Sequence, residues 1–162
     1  MTKLIKNRQI VDDVWQVVPH DATDIPDGNS LLLPLPLWLQ YRDSLAGRQD
    51  IGLWLNNDEA PADIPADALS QLPLVGVNFP VFTDGRGFSI GRLLRERHGY
   101  TGEMRALGYV LQDQLCYLKR CGFDSFELPP HIDPAVALAS LDDFVITYQT
   151  SVDQPLPLFR RA

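Results

Sequence analysis

The residues best suited to chemistry lie in one turn. Thr83-Asp84-Gly85-Arg86-Gly87-Phe88-Ser89 follows an apolar run and precedes a helix-like pattern. Gly85 and Gly87 let the backbone turn tightly and come close to a ligand. A helix start presents free N–H groups and a partial positive charge. Arg86 adds a planar guanidinium fork that matches oxyanions. Thr83, Gly85, Arg86, Gly87 and Ser89 are therefore a candidate site for a small anion. A structural role competes with it, because Asp84 or Ser89 can simply cap the helix. The segment has neither G-x-G-x-x-G nor the P-loop pattern, so no nucleotide cofactor is recognisable in it.

Asp84, Arg105 and His131 are the candidates for a catalytic role. Arg105 lies inside the strand-like run Glu103-Met104-Arg105-Ala106-Leu107. An arginine taken out of water needs a carboxylate or an anion. Glu103, two residues away on the same face, can supply it, and so can Asp84 or a ligand. His131 is the one histidine expected at the carboxyl edge of a sheet, where an imidazole can act as acid or base. His20 and His98 fall in a loop and at a helix end, and no H-x-x-x-H occurs, so no metal site is expected. Cys116 and Cys121 are five apart, which is neither C-x-x-C nor a zinc or iron–sulfur spacing. They are expected in or near the core as free thiols, which suits a reducing cytoplasm. Trp15, Trp38 and Trp54 read as core or interface anchors. No G-x-S-x-G nucleophile motif is present.

The chain has 162 residues, the length of one domain. Apolar residues make up 45% and charged residues 22%, as in ordinary globular proteins. The net charge is −7, so counterion release favours no nucleic-acid partner. The charge is uneven. Residues 81–120 hold seven basic and four acidic side chains, a local +3 that leaves −10 for the rest. Such a field steers a small anion or an acidic partner. Helix surface pairing competes with that reading, since Arg92 and Glu96 are four apart. The longest apolar stretch, Leu31 to Leu39, holds two prolines and is too short to span a bilayer. No apolar run stands behind Met1–Lys6. A cytoplasmic protein without a membrane segment is expected.

The elements that must position these residues read as follows. Residues 1–30 form an N-terminal arm in which Leu4-Ile5 and Ile10-Val11 can pair as a β-hairpin. Residues 31–150 form a single α/β domain, and 151–162 a proline-rich C-terminal arm. Strands are expected at Leu31–Leu33, Ile51–Leu55, Leu74–Phe79, Glu103–Leu107 and Phe123–Leu128. Leu74–Phe79 is nearly all apolar, as in a strand covered on both faces. Helices are expected from Pro36 to Ala46 with Gly47 as cap, from Phe88 to His98, from Val110 to Arg120, and from Ala135 to Leu141 behind Asp133-Pro134. Phe144 to Thr150 is β-prone. Four to five strands alternating with helices indicate an α/β fold with a mostly parallel sheet. The chain is too short for an eightfold barrel, so a half-barrel or a small open sheet is expected. Ligands of such sheets bind outside the carboxyl ends of the strands. Here those ends carry Asn56-Asn57, Thr83–Gly87, Gly108-Tyr109 and Pro129-Pro130-His131.

From Leu31 to Phe126 the chain resembles a family of small bacterial proteins of unknown function. Three passages carry the resemblance: Phe79-Pro80-Val81-Phe82-Thr83-Asp84-Gly85-Arg86-Gly87-Phe88-Ser89, Gly102-Glu103-Met104-Arg105-Ala106-Leu107-Gly108, and Asp113-Gln114-Leu115 running on to Arg120-Cys121-Gly122-Phe123-Asp124. Members are commonly described as oxidoreductases of sulfite reduction, and their genes typically lie beside that of the sulfite reductase haemoprotein. The resemblance thus implies an accessory protein or oxidoreductase component of assimilatory sulfite reduction. The sulfite reductase haemoprotein or its electron donor is the implied partner. The family usually has aspartate after the glycine at 108, where this chain has Tyr109, so no carboxylate role carries over there. Two other readings stand beside this one: a non-catalytic adaptor of sulfite reductase, and an α/β enzyme acting on a phosphorylated or carboxylated metabolite. A homodimer is expected on base rates for small α/β domains.

Overall fold

A computed structural model describes residues 2–161. Its strands are β1 (Lys3–Lys6), β2 (Gln9–Asp12), β3 (Gln16–Val17), β4 (Leu31–Pro34), β5 (Ile51–Leu55), β6 (Leu74–Phe79), β7 (Glu103–Gly108) and β8 (Ser125–Glu127). Its helices are α1 (Leu35–Leu45), α2 (Ala66–Leu69), α3 (Arg86–Glu96), α4 (Leu115–Arg120) and α5 (Pro134–Ser140). All eight strands join one sheet in the order β2-β1-β8-β7-β6-β5-β4-β3. The expected four to five mostly parallel strands are corrected to eight mixed ones. β3 to β8 run parallel, while β1 pairs antiparallel with β8 and with β2. The hairpin read as an arm is part of the sheet because Leu4 and Ile5 bury completely against β8.

The sheet must curl. Seven strand spacings would set the edges of a flat sheet about 34 Å apart. Yet β2 and β3, the two edges, are consecutive in the chain and separated only by residues 13–15. The steps from Asp12 to Gln16 reach at most about 14 Å. The half-barrel alternative is therefore the one adopted, with the hairpin continuing its curve.

Strand alternation gives the curved sheet two faces. Leu31, Leu33, Leu53, Val75, Val77, Met104, Ala106, Phe126 and Ile5 share one face and form the main core with the helices. The other face carries Leu32, Trp54, Leu74 and Leu107, against which Trp15 packs. Gly52 and Gly76 also lie on this face. A Cβ at Gly76 would stand 2.6 Å from Leu107 Cδ1 and 3.0 Å from Trp54 Cβ, so the bulky side chains lie across a strand that has none there.

Helix ends follow the local chemistry. Asp133 Oδ1 accepts from Ala135 N at 2.8 Å and starts α5. α1 opens with proline in its first turn, and Gly47 follows it in the left-handed region at φ +81°. The helix expected over Val110–Arg120 is instead a 3-10 turn at Gln112–Gln114 followed by α4. Gln114 Oε1 takes the Leu111 N–H at 3.1 Å, which holds Leu111 extended and stops the helix from reaching back. Phe144–Thr150 forms no strand. No helix of the described residues is long and apolar enough to cross a membrane.

Candidate functional site

The carboxyl edge of β5 and β6 gathers the polar side chains. β6 ends at Phe79, and the chain turns through Pro80–Gly85 into α3. Arg86 begins that helix, two residues earlier than its apolar pattern suggests. Asp84 Oδ1 accepts from Arg86 N and from Arg86 Nε, both at 3.0 Å, and Arg86 Nη2 reaches Asp84 Oδ2 at 2.6 Å. Asp84, one residue before the N-cap Gly85, thus takes the first N–H of α3 and grips the side chain of the same residue. Asn57, from the loop after β5, donates to the other side of the carboxylate. The Arg86 side chain and backbone hold Asp84 well below the usual carboxylate range. The Arg86 guanidinium is raised in turn by Asp84. Arg86 remains 60% exposed, and among the described residues its Nη1 has no partner.

The two glycines play different parts. Neither needs the left-handed region. Gly87 is buried, and a Cβ there would stand 2.6 Å from the Phe79 ring, so glycine lets α3 settle on β6. A Cβ at Gly85 would meet only Phe88 Cδ2, at an ordinary contact distance of 3.9 Å. Thr83 and Ser89 are exposed beside the turn.

The loop after β5 is the hub of this edge. Asn78 Nδ2 on β6 donates to Asn56 Oδ1 at 3.0 Å. Glu59 Oε2 accepts from Asn56 N at 2.7 Å, and Glu59 Oε1 lies 3.0 Å from His20 Nε2. His20 meets the edge of the Trp54 ring at 5.5 Å. Sequence reasoning missed His20 and Glu59, which are 39 residues apart and carry no motif. Gly108 ends β7 at φ +82°, and a Cβ there would stand 2.5 Å from Asn78 Oδ1. Exposed apolar side chains flank the polar ones: Val81 and Phe82 after β6, and Tyr109 after β7. His131 stands exposed in the turn after β8.

Arg105 is elsewhere. It sits in mid-strand, level with Gly76 of β6 and Ser125 of β8, on the face without helices. Its side chain is 1% exposed. Nη2 contacts Glu103 Oε1 at 2.7 Å, and Nη1 contacts Asp13 Oδ1 at 2.9 Å. Lys6 Nζ reaches Glu103 Oε2 at 2.5 Å. Burial pushes Glu103 up, but Lys6 and Arg105 outweigh it and hold the carboxyl below its ordinary value. Glu127 on the same face is raised by burial and by the nearby Asp13. The structure therefore joins Asp84 to Arg86 and gives Arg105 its own carboxylates. Arg105 ties β7 to the connector between the sheet edges through Asp13, while Glu103 ties β7 to β1 through Lys6.

β6, β7, β8 and the turns after β5, β6 and β7 lie in the region matched by one family, while Lys6, Asp13 and His20 precede it. The chain belongs to the bacterial proteins of unknown function designated DUF934, which match residues 52–159. No curated protein and no solved structure matches the chain. Membership covers the Asp84–Arg86 turn, β7 and the loops at the carboxyl edge of the sheet, and it assigns no chemistry to them. Among the described residues no group of three His, Cys, Asp or Glu side chains is placed to hold a metal ion. Cys116 and Cys121 are buried free thiols, and burial pushes Cys121 up.

Proposed function

We propose that this protein serves assimilatory sulfite reduction as a binding component, holding a small oxyanion or an acidic partner at the carboxyl edge of its sheet. The observation that carries the reading is Arg86. Its guanidinium is exposed at that edge and pinned by one carboxylate on one side, and its Nη1 has no partner among the described residues. Pinning by Asp84 fixes the direction of the free donors before a ligand arrives, which lowers the ordering cost of binding. The sulfur role rests on the resemblance to proteins described in that pathway.

The adaptor reading has an observation of its own. Val81, Phe82 and Tyr109 are about half exposed around the turn. Aromatic side chains with an arginine are the composition of interface centres. In this reading the sulfite reductase haemoprotein or its electron donor presents an acidic patch to Arg86, and Phe82 and Tyr109 supply the apolar contact.

Thermal shift with sulfite, sulfate and phosphate, and co-elution with sulfite reductase at low salt, test both forms. The expected result is stabilisation by sulfite or co-elution, either of them lost in Arg86→Ala. Binding that survives Arg86→Ala, or no binding of either kind, contradicts the proposal.

A further inference from the structure

The connector between the two sheet edges shows toward which face the sheet closes. Trp15 packs on Leu32, Trp54, Leu74 and Leu107, and Asp13 reaches Arg105 in mid-strand. The face without helices is therefore the inner face of the curl. Around Leu32, Trp54, Leu74 and Leu107 that face is apolar, and Trp15 covers it. Over β8 and β1 it is polar. Lys6 stands level with Ser125, and Ser125 with Arg105. Glu103 and Glu127 lie two residues along their strands on the same face. Small barrels fill such an interior with side chains, and charged ones are rarely buried there without a partner. Here a cavity of about 370 Å³ remains between the hairpin and the connector, and its lining includes Leu4, Lys6, Val11, Asp13, Trp15 and Arg105. That is the size of a small-molecule site.

The polar groups around the cavity do not use each other up. Four charged side chains form a chain of contacts, Lys6–Glu103–Arg105–Asp13. Lys6 Nζ spends one of its three N–H groups on Glu103. Of the five on Arg105, those of Nε and one of Nη2 serve Glu103, and one of Nη1 serves Asp13. That leaves one N–H on each Nη without a partner among the described residues. Asp13 Oδ1 accepts from both Arg105 and Trp15 N, and its Oδ2 has no partner among the described residues. Ser125 Oγ, fully buried between Lys6 and Arg105, has none either. Polar groups buried this deeply cost free energy until something bonds them. The contact chain thus offers cationic donors toward one end and a carboxylate acceptor at the other.

We infer that this cavity binds a small zwitterion, an ammonium and a carboxylate carried on an apolar body, as in a free amino acid or a short peptide. Charge selects the class. Two cations and two carboxylates form the contact chain, so the site as a whole favours neither sign. A bare anion would face Asp13 and Glu127, and a bare cation would face Lys6 and Arg105. A molecule with both charges meets both ends. Its carboxylate takes the free donors of Arg105 and of Lys6, whose side chain is 40% exposed. Its ammonium takes Asp13 Oδ2. Leu4, Val11 and Trp15 receive the apolar body. The Arg86 turn shares no residue with this site.

Isothermal titration of the full chain tests this with four probes. L-leucine and leucylglycine are the zwitterions. 4-Methylpentanoate lacks the ammonium of leucine, and 3-methylbutylamine lacks its carboxylate. At least one zwitterion should bind, and which one tells a free amino acid from a peptide. Each single-charge analogue should bind about tenfold more weakly or worse, because it forgoes a charge-assisted bond. Lys6→Met should weaken the zwitterion about tenfold or more, and Lys6→Arg should restore it. Circular dichroism checks that both variants fold. In the unaltered protein, the Trp15 indole N–H resonance should shift on binding, while that of Trp38, in the core on the helix side, should not. No binding of either zwitterion up to about 10 mM overturns the proposal. So does equal affinity for either single-charge analogue, binding indifferent to Lys6→Met, or an unmoved Trp15 resonance.

Discussion

Replacing Arg105 by methionine tests what holds the curled sheet. The substitution keeps an unbranched chain and removes the charge. Arg105 is 1% exposed and its partners Glu103 and Asp13 are 8% and 10% exposed, so both carboxylates lose a partner out of water. Breaking a buried pair from one side costs about 3–5 kcal/mol. For a chain of this size each kcal/mol moves Tm by about 2–4 °C, so the expected fall is roughly 6–20 °C. The pH dependence has a definite sign. Glu103 is held below its ordinary value in the folded protein, so its contribution is present above about pH 4.3, the usual glutamate value, and is lost as pH falls through the lower folded value. The gap between wild type and Arg105→Met should therefore narrow in acid. Urea denaturation from about pH 2 to pH 7, a range that brackets the loss, measures it. Adding Glu103→Gln and Asp13→Asn to Arg105→Met should recover much of the loss, because no buried carboxylate is then stranded and the Lys6 ammonium is 40% exposed. A loss below about 1 kcal/mol at pH 7, or one constant across this range, refutes the reasoning.

Other expectations follow from the same surfaces. Gly76→Ala places a methyl 2.6 Å from Leu107 Cδ1 and should destabilise by about 1–3 kcal/mol in chemical denaturation. Glu127→Gln should stabilise at neutral pH. Burial raises this carboxyl, so ionising it disfavours the fold as pH rises above the unfolded value, and the gain should vanish below about pH 4. Thiol titration of the native protein should be slow at both Cys116 and Cys121 and fast only in denaturant, since both are buried.

Local signals proved readable where a single element decides them. The apolar run at Leu74–Phe79 is β6, and Asp133-Pro134 starts α5. Arg105 announced its need for a carboxylate because Glu103 lies two residues away on the same strand face. Its second partner, Asp13, is 92 residues distant, and no spacing could reveal it. The strand count was too low for the same reason. β3 is only two residues long and exists because β4 offers an edge, and the hairpin joins the sheet only through β8. At the carboxyl edge, Asp84 and Arg86 were visible as neighbours in sequence. His20–Glu59 and Asn56–Asn78 are products of the curl and of loop packing. Phe144–Thr150 shows the converse, a β-prone stretch that joins no strand of the sheet and bends instead.

The most direct test of the functional proposal is growth of a deletion strain of the native bacterium with sulfate, sulfite, sulfide or cysteine as sole sulfur source. The proposal predicts failure on sulfate and sulfite, growth on sulfide and cysteine, and rescue by the wild-type gene but not by Arg86→Ala. Normal growth of the deletion strain on sulfite, or full rescue by Arg86→Ala, contradicts it.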